Sequence, residues 1–139
     1  MNLTTSLLLA AAMFGPYNAE VVKIIDGDTV KMQLGLSPGL TKTINIRLDG
    51  VNTPEKRTRD QCEKTAGLAA TAYTEQWLAN AEKITVSNVR NGKYAGRWLG
   101  SIAADGRDLA TDLIASGHGR PYHGEKRKPW CEQPPAANQ

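Results

Sequence analysis

The chain carries only two cysteines and two histidines in 139 residues. Cys62 and Cys131 form no Cys-x-x-Cys pair, which excludes a zinc knuckle and a thioredoxin-type dithiol. His118 and His123 are isolated in a Gly-rich segment and read as surface residues rather than as metal ligands or bases. The apolar run at residues 7–12 falls far short of a membrane span. There is no internal repeat and no interdomain linker, so one domain is expected. A marked charge excess is missing too: the formal net charge is +3 and the sequence pI about 9.0, a mild lean toward polyanions.

What is present is near the globular average, at 40% hydrophobic and 22% charged residues, and supports a packed core. The basic excess gathers late. Between positions 90 and 128 stand eight Lys/Arg against four acids. The opening "MNLTTSLLLAAAMFG" lacks a basic n-region, yet Ala10-Ala11-Ala12 suits a signal peptidase. Residues 1–15 are therefore expected to be signal-like, 16–131 the domain and 132–139 a flexible tail. The address is secreted or periplasmic, with the cytoplasm as alternative. In an oxidising compartment Cys62 and Cys131 can bridge, adding about 4 kcal/mol in the chain-entropy model; in a reducing cytosol they remain two separate thiols.

Residues 20–25 and 29–34 are β-rich and flank Asp26-Gly27-Asp28, a hairpin signal because Gly tolerates positive φ. "KTINIRL" (42–48) alternates Ile44, Ile46 and Leu48 as a third strand after the "LSPG" turn. Residues 63–81 read as a helix with an apolar stripe of Ala70, Tyr73, Trp77 and Ala81. "KITVSNVR" and "GRWLGSI" are strands four and five, and "GRDLATDLIASG" a second helix stopped by Gly117. Strands followed by helices argue against a βαβ sheet. The expectation is a mainly β, α+β chain: a five-stranded OB-type barrel capped by two helices.

Four residues carry the chemistry. Asp28 follows the hairpin turn, Arg47 lies on a strand, Glu55 follows the Pro54 turn and Arg97 begins a later strand. A phosphodiester hydrolase needs an activated water and positive charge where the phosphorane develops negative charge, usually with a metal. Each residue singly has a structural alternative: Asp28 shaping its hairpin, Arg47 pairing with Asp49, Glu55 and Arg97 facing solvent.

Jointly, "IIDGDTVKM", "IRLDGVNTPE" and "KYAGRWLG", in that order, resemble the staphylococcal (micrococcal) nuclease family. The similarity runs through both helices, over roughly residues 19–123. It implies an OB-fold and a calcium-dependent endonuclease that cleaves DNA and RNA by water attack and leaves 3′-phosphates. Single-stranded or frayed chains are the expected substrate; the protein is expected to be a monomer with no stable protein partner and no membrane. Asp28 matches a calcium-ligand carboxylate, Thr53 a backbone carbonyl ligand, and Glu55 the carboxylate that activates water. Arg47 and Arg97 match the two phosphate-gripping arginines. Tyr94 matches a phosphate-bonding tyrosine, and Tyr122 roughly one that packs on a base, with barrel-edge packing as the alternative.

Three departures stand out. "KYAGR" carries one extra residue between Tyr94 and Gly96. The long basic third helix is absent, with "EKRKPWC" in its place. Asn52 occupies the position of the second metal carboxylate. Calcium accepts amide oxygens, so Asn52 remains a candidate ligand, but one charge fewer predicts millimolar-class affinity. Asp49, two residues from Arg47, is an alternative source of that charge. The rival class is a noncatalytic OB module that binds single strands or a protein partner.

Overall fold

The structure, a computed structural model, describes residues 12–131. Most of the signal-like segment and the whole 132–139 tail therefore lie outside the described residues. Strands β1 (Tyr17–Asp26), β2 (Thr29–Ser37) and β3 (Leu40–Leu48) form an antiparallel meander. The pair Asp26↔Thr29 closes the first hairpin over Gly27 and Asp28. Pro38-Gly39 closes the second, with Gly39 at φ +76°, the turn position that favours glycine. A short β4 (Val51–Asn52) precedes α1 (Gln61–Ala79), and β5 (Ile84–Asn91) and β6 (Arg97–Ala104) follow it. The chain continues through β7 (Arg107–Asp108), α2 (Leu109–Ala115) and β8 (Arg120–Pro121).

Closure comes from three pairings: β1 with β5, β5 with β6, and β6 in parallel with β3. The five long strands thus form a closed barrel with two helices, an OB-fold. Alternation dictates its filling. Val30, Met32 and Leu34 of β2 and Ile44, Ile46 and Leu48 of β3 point inward, joined by Val86, Ile102, Leu109 and Leu113. Residues between them, Arg47 included, face the outside of the wall.

Helix α1 is N-capped by Asp60, whose side chain accepts from the backbone N–H groups of Cys62 and Glu63. Its buried face differs from the expected stripe. Gly67, Ala70, Thr71, Thr74 and Leu78 are buried, while Tyr73 and Trp77 are half-buried and Ala81 lies beyond the helix. The reason is distance: from Gly67 to Thr74 α1 lies so close to the barrel that only small residues fit the contact. A Cβ on Gly67 would stand 2.5 Å from the Glu55 carbonyl carbon, and one on Gly27 2.9 Å from Ala70 Cβ. Thr74 Oγ1 donates to the Gly27 carbonyl at 2.7 Å, fastening helix to hairpin. Trp77 Nε1 donates to Asp112 Oδ2 at 2.8 Å and joins α1 to α2. After β8 the described chain runs as an irregular strap over residues 122–131 with no helix. Cys131 at its end is disulfide-bonded to Cys62 at the start of α1, with Cα atoms 6.2 Å apart.

Candidate active site

The β2–β3 register sets Arg47 opposite Thr29, so its guanidinium lies beside Asp28 in the hairpin. The parallel β3–β6 register pairs Arg47 with Leu99 and Asn45 with Arg97, which brings Arg97 to the same outer wall. These strands frame an open cleft of about 620 Å³. Asp28, Arg47, Asn52, Glu55, Tyr94, Arg97 and Tyr122 all line it. Thr53 lies just beneath, 1% exposed, and takes part through its backbone. The residues singled out in the sequence as nucleic-acid and cation contacts therefore meet in one place.

Asp28 is the most constrained of them. It is 5% exposed and accepts from Thr53 N–H at 2.9 Å and Thr29 Oγ1 at 3.1 Å. Arg47 Nη2 stands 3.4 Å from its Oδ2. Burial pushes the Asp28 carboxyl upward, but Arg47, Asp26 and Thr53 outweigh that and hold it below the usual carboxylate range. Asp26 bears the opposite consequence. Burial, then the adjacent Asp28 carboxylate, push its carboxyl up to about 7.

Arg47 is locked rather than free to sweep the cleft. Its Nη1 donates to the carbonyls of Leu48 at 2.7 Å and Val51 at 2.8 Å, leaving other donors of the fork for a phosphate. Its acidic partner is Asp28. Asp49 pairs instead with Arg90 at 2.9 Å, so that carboxylate is matched by a cation on the cleft wall. Arg97 stands 5.5 Å from the centre of the exposed Tyr94 ring, within cation–π range, despite the extra residue between Tyr94 and Gly96. Tyr122 is half-buried, its N–H donating to the Gly50 carbonyl at 3.0 Å, and its ring centre is 6.0 Å from Arg47.

Glu55 sits at the end of the Pro54 turn with its backbone gripped by α1. Glu63 Oε2 accepts its N–H at 2.9 Å, and Gly67 packs against its carbonyl. Its side chain is engaged by a residue that no local pattern marks. Arg127 Nη1 donates to Glu55 Oε1 at 2.7 Å, and Arg127 Nη2 donates to the Thr53 carbonyl at 3.2 Å. Burial lowers the Arg127 pKa, but hydrogen bonding and attraction to Glu55 more than offset it. Asp26, Glu63, Arg90 and Arg127 all escape a reading by sequence. Of these only Asp26 has a local sign, the Asp-Gly-Asp turn itself.

The donors decide whether a cation fits. Among the described residues no group of three or more His, Cys, Asp or Glu is arranged to hold a metal. Asp26 and Asp28 nevertheless lie side by side, with the Asn52 amide and the Glu55 carboxylate on the same cleft and the Thr53 carbonyl beneath. The Asp26 carboxyl is raised first by burial and only then by the Asp28 carboxylate beside it. An oxygen-only, partly neutral donor set suits a hard cation such as calcium and disfavours a soft one.

Fold and cleft together define a class: a small OB barrel that gathers carboxylates and guanidinium groups on one open wall. The family model described as staphylococcal nuclease homologue matches residues 45–134, more than half of the chain. The protein belongs to that family. The match spans Arg47, Asn52, Glu55 and Arg97 and begins after the hairpin that carries Asp28.

Proposed function

We propose that the protein is a calcium-dependent endonuclease hydrolysing phosphodiester bonds of DNA and RNA. The observation that carries this reading is the meeting of Glu55 with Arg47 and Arg97 on one cleft. A module that only binds nucleic acid has no need of a carboxylate beside two phosphate forks.

Arg47 and Arg97 hold the scissile phosphate, where planar forks match its oxygens better than lysine would. Water attacks phosphorus opposite the 5′-oxygen, and Glu55 takes its proton. The phosphorus–5′-oxygen bond breaks, the leaving oxygen takes a proton from solvent, and the other end keeps a 3′-phosphate. Negative charge on the phosphorane is met by the two guanidinium groups, of which Arg47 is already held in place by its carbonyl partners. Asp28, Asn52 and the Thr53 carbonyl are the groups to hold calcium. When bound, it supplies further positive charge at the phosphate and polarises water. Tyr94 bonds phosphate and Tyr122 offers a face to a base, which favours single-stranded or frayed chains. The protein acts outside the cytoplasm, where calcium is abundant and the Cys62–Cys131 bridge persists.

The test is cleavage of denatured DNA in millimolar calcium, with and without chelator, beside Glu55→Ala. Chelator-sensitive cleavage that the variant lacks is expected. Absence of such cleavage would favour the noncatalytic module, and equal cleavage by the variant would remove Glu55 as the base and sink this reading.

A further inference from the structure

The Arg127 contact has no counterpart in the reaction just described. It occupies Glu55 Oε1 and the Thr53 carbonyl, the two oxygens assigned above to the base and to a cation ligand. A guanidinium carries no lone pair, so it cannot join a coordination shell; it can only exclude one. Its position is built rather than incidental, because the strap is tied on both sides of it. Upstream, β8 pairs with β4, and Tyr122 N–H bonds Gly50. Downstream, Arg120 stacks on Trp130 at 3.9 Å, donates to the Pro129 carbonyl at 3.1 Å, and Cys131 is bonded to Cys62. Closing the strap at both ends raises the local concentration of Arg127 at Glu55.

Resting on the calcium reading above, we propose that Arg127 is an internal competitor for the cation, a residue that sets calcium affinity by occupying Glu55 and the Thr53 carbonyl. Calcium then takes up its place only as the guanidinium withdraws, and the disulfide sets how strongly Arg127 returns. With Asn52, the contact gives the chain a second device that raises the calcium concentration it requires.

Calcium titration calorimetry on the full chain tests this. Arg127→Ala should bind calcium about threefold to fivefold more tightly, the range expected for losing one partly exposed ion pair. Lys126→Ala removes the same charge one residue away and should shift affinity by less than about half that factor. Cys131→Ser should tighten binding in the same direction, and adding it to Arg127→Ala should change nothing further, because both act through one contact. Unchanged or weaker binding by Arg127→Ala, or equal tightening by Lys126→Ala, overturns the inference and leaves the nuclease reading standing. Failure of the wild type, Arg127→Ala and Asn52→Asp alike to take up calcium overturns both.

Discussion

Charge placement at single residues decides most of the chemistry here. Asn52 lines the cleft where a second carboxylate would bring a full negative charge to the cation. Asn52→Asp should therefore lower the calcium Kd by about tenfold, measured by titration, since charge count tunes such sites over decades. An unchanged Kd removes Asn52 from the ligand set. Asp26 makes a separate prediction about pH. Its carboxyl is raised from an ordinary 3.8 to about 7 in the folded protein, so the folded state holds that proton more tightly than the unfolded one. The proton's stabilising contribution is complete below about pH 4 and is lost as pH rises toward 7. In chelator, Asp26→Asn should melt above the wild type by a margin that widens over that interval. A margin independent of pH would contradict the assignment. Asp28 and Glu55 stood out in the sequence only jointly with Arg47 and Arg97, through the ordered motifs that resemble the nuclease family. Turn chemistry alone gave each a structural reading, and Gly27 has no positive φ but is held by the close approach of Ala70 and Thr53. Arg127 did not stand out, because its contact with Glu55 spans 72 residues and depends on where a strap without regular structure is tied.

Elements turn these residues into a site. The barrel pairings align Arg47 with Arg97, and α1 seats the Glu55 turn through two positions one helical turn apart, Glu63 and Gly67. Gly67→Ala should force the helix or the turn to move, costing about 1–3 kcal/mol as an overpacked contact does. Urea unfolding measures that loss, and cleavage should fall further than the lost stability explains because Glu55 shifts. Full activity in a destabilised Gly67→Ala protein would mean that α1 does not position the base. The five long strands followed from alternation and turn signals, both helices from three- and four-residue apolar spacing, and the barrel from the sequence order of those elements. The inner face of α1 did not, since periodicity weighs bulky apolar side chains and this contact selects small ones: Gly67, Ala70, Thr71 and Thr74.

At the scale of the whole molecule, the Cys62–Cys131 bridge links residues 69 apart and ties the strap to the helix that seats Glu55. Replacing both cysteines with serine should cost about 4 kcal/mol in the chain-entropy model, read as a lowered denaturation midpoint. Equal midpoints for the bridged protein and the double variant would show that the bridge contributes nothing. Barrel, turn and strands bring Glu55, Arg47 and Arg97 to a single cleft, and the proposed hydrolysis depends on their acting there together. Single-turnover cleavage of a short single-stranded oligonucleotide in saturating calcium tests it most directly, comparing wild type with Glu55→Gln of matched melting temperature. The variant should be slower by about 100-fold or more, the usual worth of a positioned general base. Equal rates for the two proteins would contradict it.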